Sequence, residues 1–156
     1  MGKIITAPEM LDISDINKHK VFLAGGISNC PDWQEPVAKR IADETNLLVI
    51  NPRRNDWNMD SQAVESIEQI HWEHFYLNMS NHILFWFPEE TLCPITLFEL
   101  GAALKGDANI FVGTHSNYGR RLDVCVQTNL ARPRTHVYQT LDSMVSDFIH
   151  DILEHG

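Results

Sequence analysis

The sequence has few cysteines, few basic residues and no long apolar run, and each shortage excludes a class of protein. The three cysteines, Cys30, Cys93 and Cys125, form no Cys-x-x-Cys pair, so neither a disulfide framework nor a zinc ribbon is expected. The formal charge of −9 argues against a binder of nucleic acid polymers, whose surface should be basic. No apolar run approaches the roughly 20 residues of a membrane span. The N-terminal stretch also lacks the apolar core of a secretory signal. We therefore expect a cytoplasmic protein without membrane contact.

What remains is an ordinary globular composition. The chain has 156 residues, of which 44% are hydrophobic and 21% charged, values that suit one domain with one sizeable core. No linker or internal repeat divides the sequence, so we expect a single domain over residues 1–156. Residues 1–18 are less regular and are expected to form an N-terminal arm or an extra strand.

Short apolar runs alternate with helical patterns along the chain. The runs "KVFLAGGI", "LLVINPRR", "HILFWF", "ANIFVG" and "THVYQ" predict about five strands. Helical spacing is found in "DWQEPVAKRIADETN", in "DSQAVESIEQIHWEHFYLNMSN" with Asp60 or Ser61 as its cap, in "PITLFELGAALKG" and in the C-terminal segment. This alternation predicts an α/β three-layer sandwich, with a parallel sheet covered by helices on both faces.

Ligands of such sheets bind beyond the carboxyl ends of the strands, so the residues after each strand are the candidates. Gly25 and Gly26 follow the first strand, and two glycines let backbone N–H groups approach an anion closely. The alternative is a tight turn with no ligand. The pattern is not Gly-x-Gly-x-x-Gly, so no dinucleotide fingerprint is present.

Two arginine doublets also follow strands. Arg53 and Arg54 come after the second strand, and Arg120 and Arg121 come after the fourth. Guanidinium groups bind phosphate or carboxylate with paired hydrogen bonds, so the doublets favour a phosphorylated ligand. The alternative is that they are solvated loop residues.

Glu99 is an acidic residue in an otherwise apolar helical segment that follows the third strand. An ionised carboxylate cannot lie in an apolar setting without partners. Thr96 lies in the predicted first turn, where free N–H groups attract negative charge. These two residues are candidates for a site; the alternatives are a solvent-exposed Glu99 favoured by the helix dipole and a capping role for Thr96.

Aromatic and histidine residues give weaker signals. Trp33 and Trp57 follow the first two strands, where a ring could stack on a nucleobase, but core packing is the alternative for both. His71 and His74 have i, i+3 spacing without a third ligand nearby, so we expect no metal site.

Several of these segments together resemble the nucleoside 2-deoxyribosyltransferase superfamily, and most of all its nucleoside 2-deoxyribosyltransferase-like branch. They are "FLAGGISNCPDWQ", "NPRR", "IHWE", "LFWFPEETLCPITLFELG" and the Tyr-x-Arg of Tyr118 and Arg120, and the resemblance covers about residues 20–127. It implies a flavodoxin-like (Rossmann-like) fold. Relatives exchange or hydrolyse the N-glycosidic bond of deoxynucleosides or of their 5′-monophosphates.

The resemblance also implies roles for individual residues. The glutamate of the Glu-Leu-Gly motif is the nucleophile in relatives, and it corresponds to Glu99 here. Such a carboxylate attacks the anomeric carbon and forms a glycosyl ester. We expect the positive end of the helix to keep Glu99 ionised. The substrate-binding residues expected from the strand ends and motifs are Gly25, Gly26, Asp32, Trp33, Arg53, Arg54, Thr96, Tyr118 and Arg120. No cofactor is expected.

The sequence departs from its relatives at three positions. Ser80-Asn81 stands where relatives have Ala-Asp, and an amide such as that of Asn81 cannot donate an acidic proton to a leaving base. Phe22 replaces a tyrosine, and Cys93 replaces an aspartate or serine. Alternative acids are Glu73, or Asp32 and Asp56 on loops. The candidate catalytic residues are thus Glu99, Asn81 and Glu73.

Two functions are compatible with this pattern. One is an enzyme that cleaves or transfers the N-glycosidic bond of a nucleoside or nucleotide. The other is a non-catalytic protein that binds a nucleotide or an ADP-ribose-like ligand, which the Asn81 and Phe22 replacements favour. In both cases the partner is a small molecule. Relatives form dimers or larger homo-oligomers and often complete the site with a neighbour's loop, and residues 116–121 are the candidate loop here.

Overall fold

A computed structural model describes residues 1–54 and 64–156, with the backbone alone at residues 64 and 65. The predictions that involve Asp56, Trp57, Asp60 and Ser61 therefore concern positions outside the described residues. The elements in chain order are β1 (Lys3–Thr6), a 3-10 turn (Ile13–Asp15), β2 (Lys20–Gly25), α1 (Gln34–Glu44), β3 (Leu48–Asn51), α2 (Val64–Met79), β4 (His82–Phe87), α3 (Pro94–Ala103), β5 (Asn109–Thr114), α4 (Arg121–Ala131), β6 (Val137–Tyr138) and α5 (Leu141–His155).

The strands of the described residues form one six-stranded sheet in the order β1-β3-β2-β4-β5-β6, and every pairing is parallel. Apart from the edge strand β1, this is the strand order of flavodoxin-like sheets. The predicted α/β three-layer class is therefore confirmed. The sheet has six strands instead of about five because Lys3–Thr6 pairs with β3 along its whole length.

Alternate side chains of each central strand enter two separate cores, as the two-residue period of a strand requires. In β2, Phe22 and Ala24 pack on the side of α2, α3 and α4, whereas Val21 and Leu23 pack on the side of α1 and α5. In β4, the residues from Ile83 to Phe87 are all buried, as expected for a strand covered on both faces. The sheet thus presents its strand ends, and not its faces, to ligands.

Helix α4 was not predicted from the sequence. Its buried residues are Val124 and Thr128, whereas Leu122, Val126 and Leu130 form an apolar stripe on its exposed side. The strongest apolar pattern of this segment therefore lies on the exposed side of the helix. Such a pattern does not predict a helix that packs its apolar side on the sheet.

No helix within residues 1–54 and 64–156 is long and apolar enough to cross a membrane. The cytoplasmic location stays a prediction.

Two glycines allow a matched test of the packing at the carboxyl end of β2. A Cβ on Gly25 would lie 2.4 Å from both Trp33 Cζ2 and Trp86 O, whereas a Cβ on Gly101 in α3 would meet no atom within 4 Å. We expect Gly25→Ala to lower the free energy of unfolding by about 2–3 kcal/mol through overpacking. Gly101→Ala should raise it by about 0.5–1 kcal/mol, because alanine is the better helix former. Urea unfolding of both variants measures this, and equal changes would contradict the close packing.

Candidate active site at the strand ends

A cavity of about 300 Å³ lies at the carboxyl ends of β2, β3 and β4. We call it the strand-end cavity. Its lining comes from the segments after these strands and from α2 and α3: Gly25, Gly26, Ile27, Ser28, Pro52, Arg54, Gln69, Glu73, Thr91, Cys93, Pro94, Ile95, Thr96 and Glu99. The chain runs from β2 to β3 on one side and then crosses to β4 on the other, so the crevice beside β2 is where this topology leaves room for a ligand.

The glycine turn forms one wall of the cavity. The carbonyl oxygen of Gly26 accepts hydrogen bonds from Trp33 Nε1 and Gln34 Nε2, each at 3.0 Å. A side chain on Gly26 would contact Pro88 and the sulfurs of Cys93 and Cys30. The backbone at this wall is therefore held in one place, and the surrounding side chains leave no room for a side chain at Gly26.

Two glutamates from different helices line the strand-end cavity. Glu99 comes from α3 and Glu73 from α2, and both retain partial solvent contact. Burial raises the pKa of Glu73 to about 7, although the Gln69 side chain opposes the shift. Burial, together with the neighbouring charge of Glu73, raises the pKa of Glu99 to about 8. Near neutral pH the two carboxyls thus retain protons that exposed glutamates would have lost.

The expectation that the helix end keeps Glu99 ionised is wrong in direction. Helix α3 begins at Pro94, so Glu99 lies beyond its first turn, where the influence of the helix dipole has fallen off. Thr96 is in the first turn and is buried at the cavity. Desolvation and a second carboxylate therefore set the charge of Glu99.

Gln69 is a lining residue that the sequence analysis missed. It lies on α2 one helical turn before Glu73, and this i, i+4 spacing was the available signal. Its Nε2 donates to Pro52 O at 2.9 Å, while its Oε1 is buried and accepts no hydrogen bond from the described residues. A buried acceptor of this kind calls for a donor, either a protonated neighbour or a bound molecule.

Arg53 does not face the cavity. Its guanidinium donates to Pro31 O, to Gln34 Oε1 and to Cys30 O at distances of 2.8 to 3.1 Å. Asp32 lies 3.8 Å from it and accepts a hydrogen bond from the Glu35 N–H at the start of α1. These contacts hold the loop after β2 in place. Neither Arg53 nor Asp32 is among the described residues that line the strand-end cavity.

The second doublet also lies elsewhere. Arg120 forms an ion pair with Asp123 at 2.9 Å on the surface of α4, and Arg121 donates to Thr114 Oγ1. Of the four arginines in the two doublets, Arg54 alone lines the strand-end cavity. The inference that the doublets together favour a phosphorylated ligand therefore loses its support.

Trp33 and Tyr118 are buried beside the site and do not line it. The Trp33 ring is 6% exposed and packs in the core on the α1 and α5 side, under Gly25. Tyr118 is 3% exposed, and its hydroxyl donates to Leu92 O at 2.7 Å, which fixes the segment before α3. Both rings shape the cavity from behind its walls.

Asn81 lies before β4, at the opposite edge of the sheet. Its Oδ1 accepts a hydrogen bond from the Lys20 N–H at 2.9 Å. It borders a separate surface groove between α2 and α3, the α2–α3 groove, which Glu99 also reaches. Phe22 is fully buried and packs near Trp72, with ring centroids 6.5 Å apart. The structure thus brings Glu73, and not Asn81, into the strand-end cavity with Glu99.

Among the residues that the structure describes, no cluster of metal ligands lies at this site. No group of three or more His, Cys, Asp or Glu residues with metal-binding geometry occurs in the described part of the chain. His71 and His74 are both exposed on α2.

The raised pKa of Glu99 makes stability depend on pH. The folded chain keeps a proton that the unfolded chain releases above pH 4.5, so stability is lost as pH rises from about 4.5 to about 8. At pH 8.5 we expect Glu99→Gln to be more stable than wild type by about 1–2 kcal/mol, a value reduced by the solvent contact of Glu99. At pH 4 the two should be equal. Urea unfolding at both pH values checks this, with the exposed Glu154→Gln as control, and a pH-independent difference would contradict it.

Comparison with known proteins places these residues in a family. No curated protein matches the chain. A family sequence profile described as nucleoside 2-deoxyribosyltransferase like matches residues 18–118, roughly two thirds of the chain, and this stretch contains the glycine turn, Glu73 and Glu99. The chain therefore belongs to the nucleoside 2-deoxyribosyltransferase-like family, and this membership suggests glycosyl transfer or hydrolysis in general.

Proposed function

We propose that this protein cleaves or transfers the N-glycosidic bond of a nucleoside, with Glu99 as nucleophile and Glu73 as general acid. The observation that carries the proposal is the pair of carboxyls with raised pKa in one cavity at the strand ends. Two carboxyls whose environments keep one proton between them are the usual machinery of glycosidic bond cleavage.

The reaction needs one ionised carboxyl and one protonated carboxyl. Ionised Glu99 attacks the anomeric carbon of the sugar, a C–O ester bond forms, and the C–N bond to the base breaks. The departing base nitrogen takes the proton of Glu73. Glu73, now ionised, removes a proton from water or from an incoming base, which then attacks the ester and releases Glu99.

Gln69 can orient the carboxyl of Glu73, although its hydrogen bond to the ionised form lowers the pKa of that carboxyl. A carboxylic O–H of Glu73 can donate to Gln69 Oε1, which is one turn away on α2 and lacks a partner among the described residues. The Nε2 bond to Pro52 O fixes the orientation of the amide and so presents the acceptor. The form of the pair that reacts is the one in which the shared proton lies on Glu73 and Glu99 is ionised.

The lining favours a nucleoside over its 5′-monophosphate. Among the described residues, two acidic side chains and one arginine line the strand-end cavity, while Arg53, Arg120 and Arg121 are engaged elsewhere. A phosphate dianion near two carboxyls would be repelled unless several cations faced it.

The test follows free base by chromatography after incubation with a panel of 2′-deoxynucleosides and their 5′-monophosphates. We expect release from nucleosides, a loss of roughly 10³-fold or more in Glu99→Gln, and a loss of about 10²–10⁴-fold in Glu73→Gln. The rate should peak between pH 7 and 8, because below this range both carboxyls are protonated and above it both are ionised. In Glu73→Gln the alkaline fall should disappear.

Glu154→Gln is the control for this assay and should keep wild-type rates. Wild-type protein that releases no more base than Glu99→Gln across the panel would exclude the enzymatic function. A ligand bound and recovered intact by mass spectrometry would then indicate a binding protein.

We also propose that the chain forms a homo-oligomer through the outer surface of α2, α3 and α4, the α2–α4 face. The large apolar side chains exposed there are Ile67, Ile70, Phe75, Leu92, Ile95, Phe98, Leu122, Val126 and Leu130. On the opposite face, formed by α1 and α5, Leu153 is the only exposed large apolar side chain among the described residues. This face also carries ion pairs such as that of Lys39 with Asp43. If each of the nine buries roughly 100 Å², a protomer loses about 900 Å², which is the size of a stable interface.

Substitution of Phe98, which is 79% exposed, tests this surface. Light scattering after gel filtration should give the wild-type chain a mass of at least twice 17.9 kDa, and Phe98→Glu should lower it towards the monomer. Leu153→Glu, on the opposite face, is the matched control and should keep the oligomer. A wild-type mass of 17.9 kDa at all concentrations would exclude the proposal.

A further inference from the structure

Two cysteine sulfurs flank Gly26 at the edge of the strand-end cavity. A Cβ built on Gly26 would lie 3.0 Å from Cys93 Sγ and 3.1 Å from Cys30 Sγ, so the sulfurs are no more than about 6 Å apart. Cys30 is on the loop after β2, and Cys93 directly precedes α3. Since Gly26 has no side chain, nothing at that residue separates them.

From this geometry we propose that Cys30 and Cys93 are a dithiol pair that a peroxide oxidises to a disulfide across the wall of the strand-end cavity. Both thiols are free in the structure. Rotation about the Cα–Cβ bonds moves each sulfur by a few ångströms. Together with a small shift of the two loops, this rotation brings the two sulfurs to bonding distance. The disulfide would tie the loop after β2 to the start of α3.

The two cysteines differ in access. Cys30 is partly exposed, whereas Cys93 is 6% exposed and its Sγ contacts Thr91 O at 3.6 Å. Burial raises the pKa of both thiols, while the nearby Arg53 charge opposes the rise at Cys30. Cys30 is therefore the thiol that meets the oxidant, and Cys93 is the resolving thiol.

The oxidation has two balanced steps. The Cys30 thiolate attacks one oxygen of hydrogen peroxide, an S–O bond forms, the O–O bond breaks, and the hydroxide that leaves becomes water. The Cys93 thiolate then attacks the Cys30 sulfur, an S–S bond forms, the S–O bond breaks, and a second water leaves. Two thiols lose two hydrogens, and one peroxide is reduced to two waters. A small dithiol such as dithiothreitol reverses the reaction.

The proposed disulfide would affect the cavity wall that Gly25 and Gly26 form. Cys93 and Gly26 both line the strand-end cavity, and Glu99 lies on α3, which begins directly after Cys93. A covalent bond between the two loops would hold the wall in one position and change the room beside the carboxyls. The disulfide itself does not depend on the proposed glycosidic activity, so the two proposals can fail separately.

Peptide mapping of wild-type protein tests the pair directly. Trypsin places the three cysteines in separate peptides, residues 21–39, 55–105 and 122–134. After peroxide treatment, removal of peroxide and alkylation, we expect a cross-linked peptide containing Cys30 and Cys93, two hydrogens lighter than the sum of the free peptides. Cys125, which lies on α4, should remain alkylated and is the internal control. Dithiothreitol should restore both thiols.

A trivalent arsenical, which bridges two nearby thiols without oxidation, provides a second test. Phenylarsine oxide should bind the reduced wild type and Cys125→Ser with one equivalent, and Cys30→Ser or Cys93→Ser should lose this binding. The wild-type and Cys125→Ser measurements decide the question even where a buried substitution impairs folding. No arsenical binding, or peroxide products confined to sulfinic acid on single cysteines, would overturn the proposal.

Discussion

The burial of two acidic side chains in one cavity is the constraint on which the site depends. Each carboxylate alone would lose several kcal/mol of hydration on burial, and two ionised together would also repel each other. Helices α2 and α3 pack on the same face of the sheet, and their core residues Trp72, Tyr76 and Leu100 hold them there. Because both carboxyls are held in the cavity, their pKa values rise towards neutral pH. Acid–base chemistry near neutral pH requires groups with such pKa values.

Hydrogen bonds that never reach the cavity keep its walls in place. Arg53 binds the carbonyls of Cys30 and Pro31, the Trp33 ring binds Gly26 O, and Tyr118 binds Leu92 O. Each bond joins a long side chain to a loop backbone beyond a strand end. Loops carry few backbone partners of their own, so side chains from neighbouring segments supply the missing donors. Polar and aromatic residues that follow strands can therefore stabilise the loops, and their presence there does not by itself indicate ligand binding.

This double use explains what could be predicted from the sequence. Apolar runs alternating with helical patterns were sufficient for the fold class, and the parallel-sheet rule placed Gly25, Gly26, Thr96 and Glu99 at one edge. Whether Arg53 or Trp33 turns towards a ligand or a loop carbonyl depends on χ angles and partners far away in sequence, which no local pattern encodes. Asn81 precedes β4, so the same rule, applied to the start of a strand, would have placed it at the other edge.

Helix α3 belongs to the site and to the molecular surface at once. Glu99 lines the strand-end cavity, and the preceding residue, Phe98, is among the most exposed apolar side chains of the chain. Successive residues of a helix point about 100° apart, so a helix that covers a cavity on one side presents its next residue outward. The α2–α3 groove runs between these surfaces and gives solvent a second approach to Glu99. Any surface that covers Phe98 would narrow that approach, deepen the desolvation of the carboxyl and raise its pKa further. The charge state of Glu99 is therefore coupled to what lies against the outer side of α3.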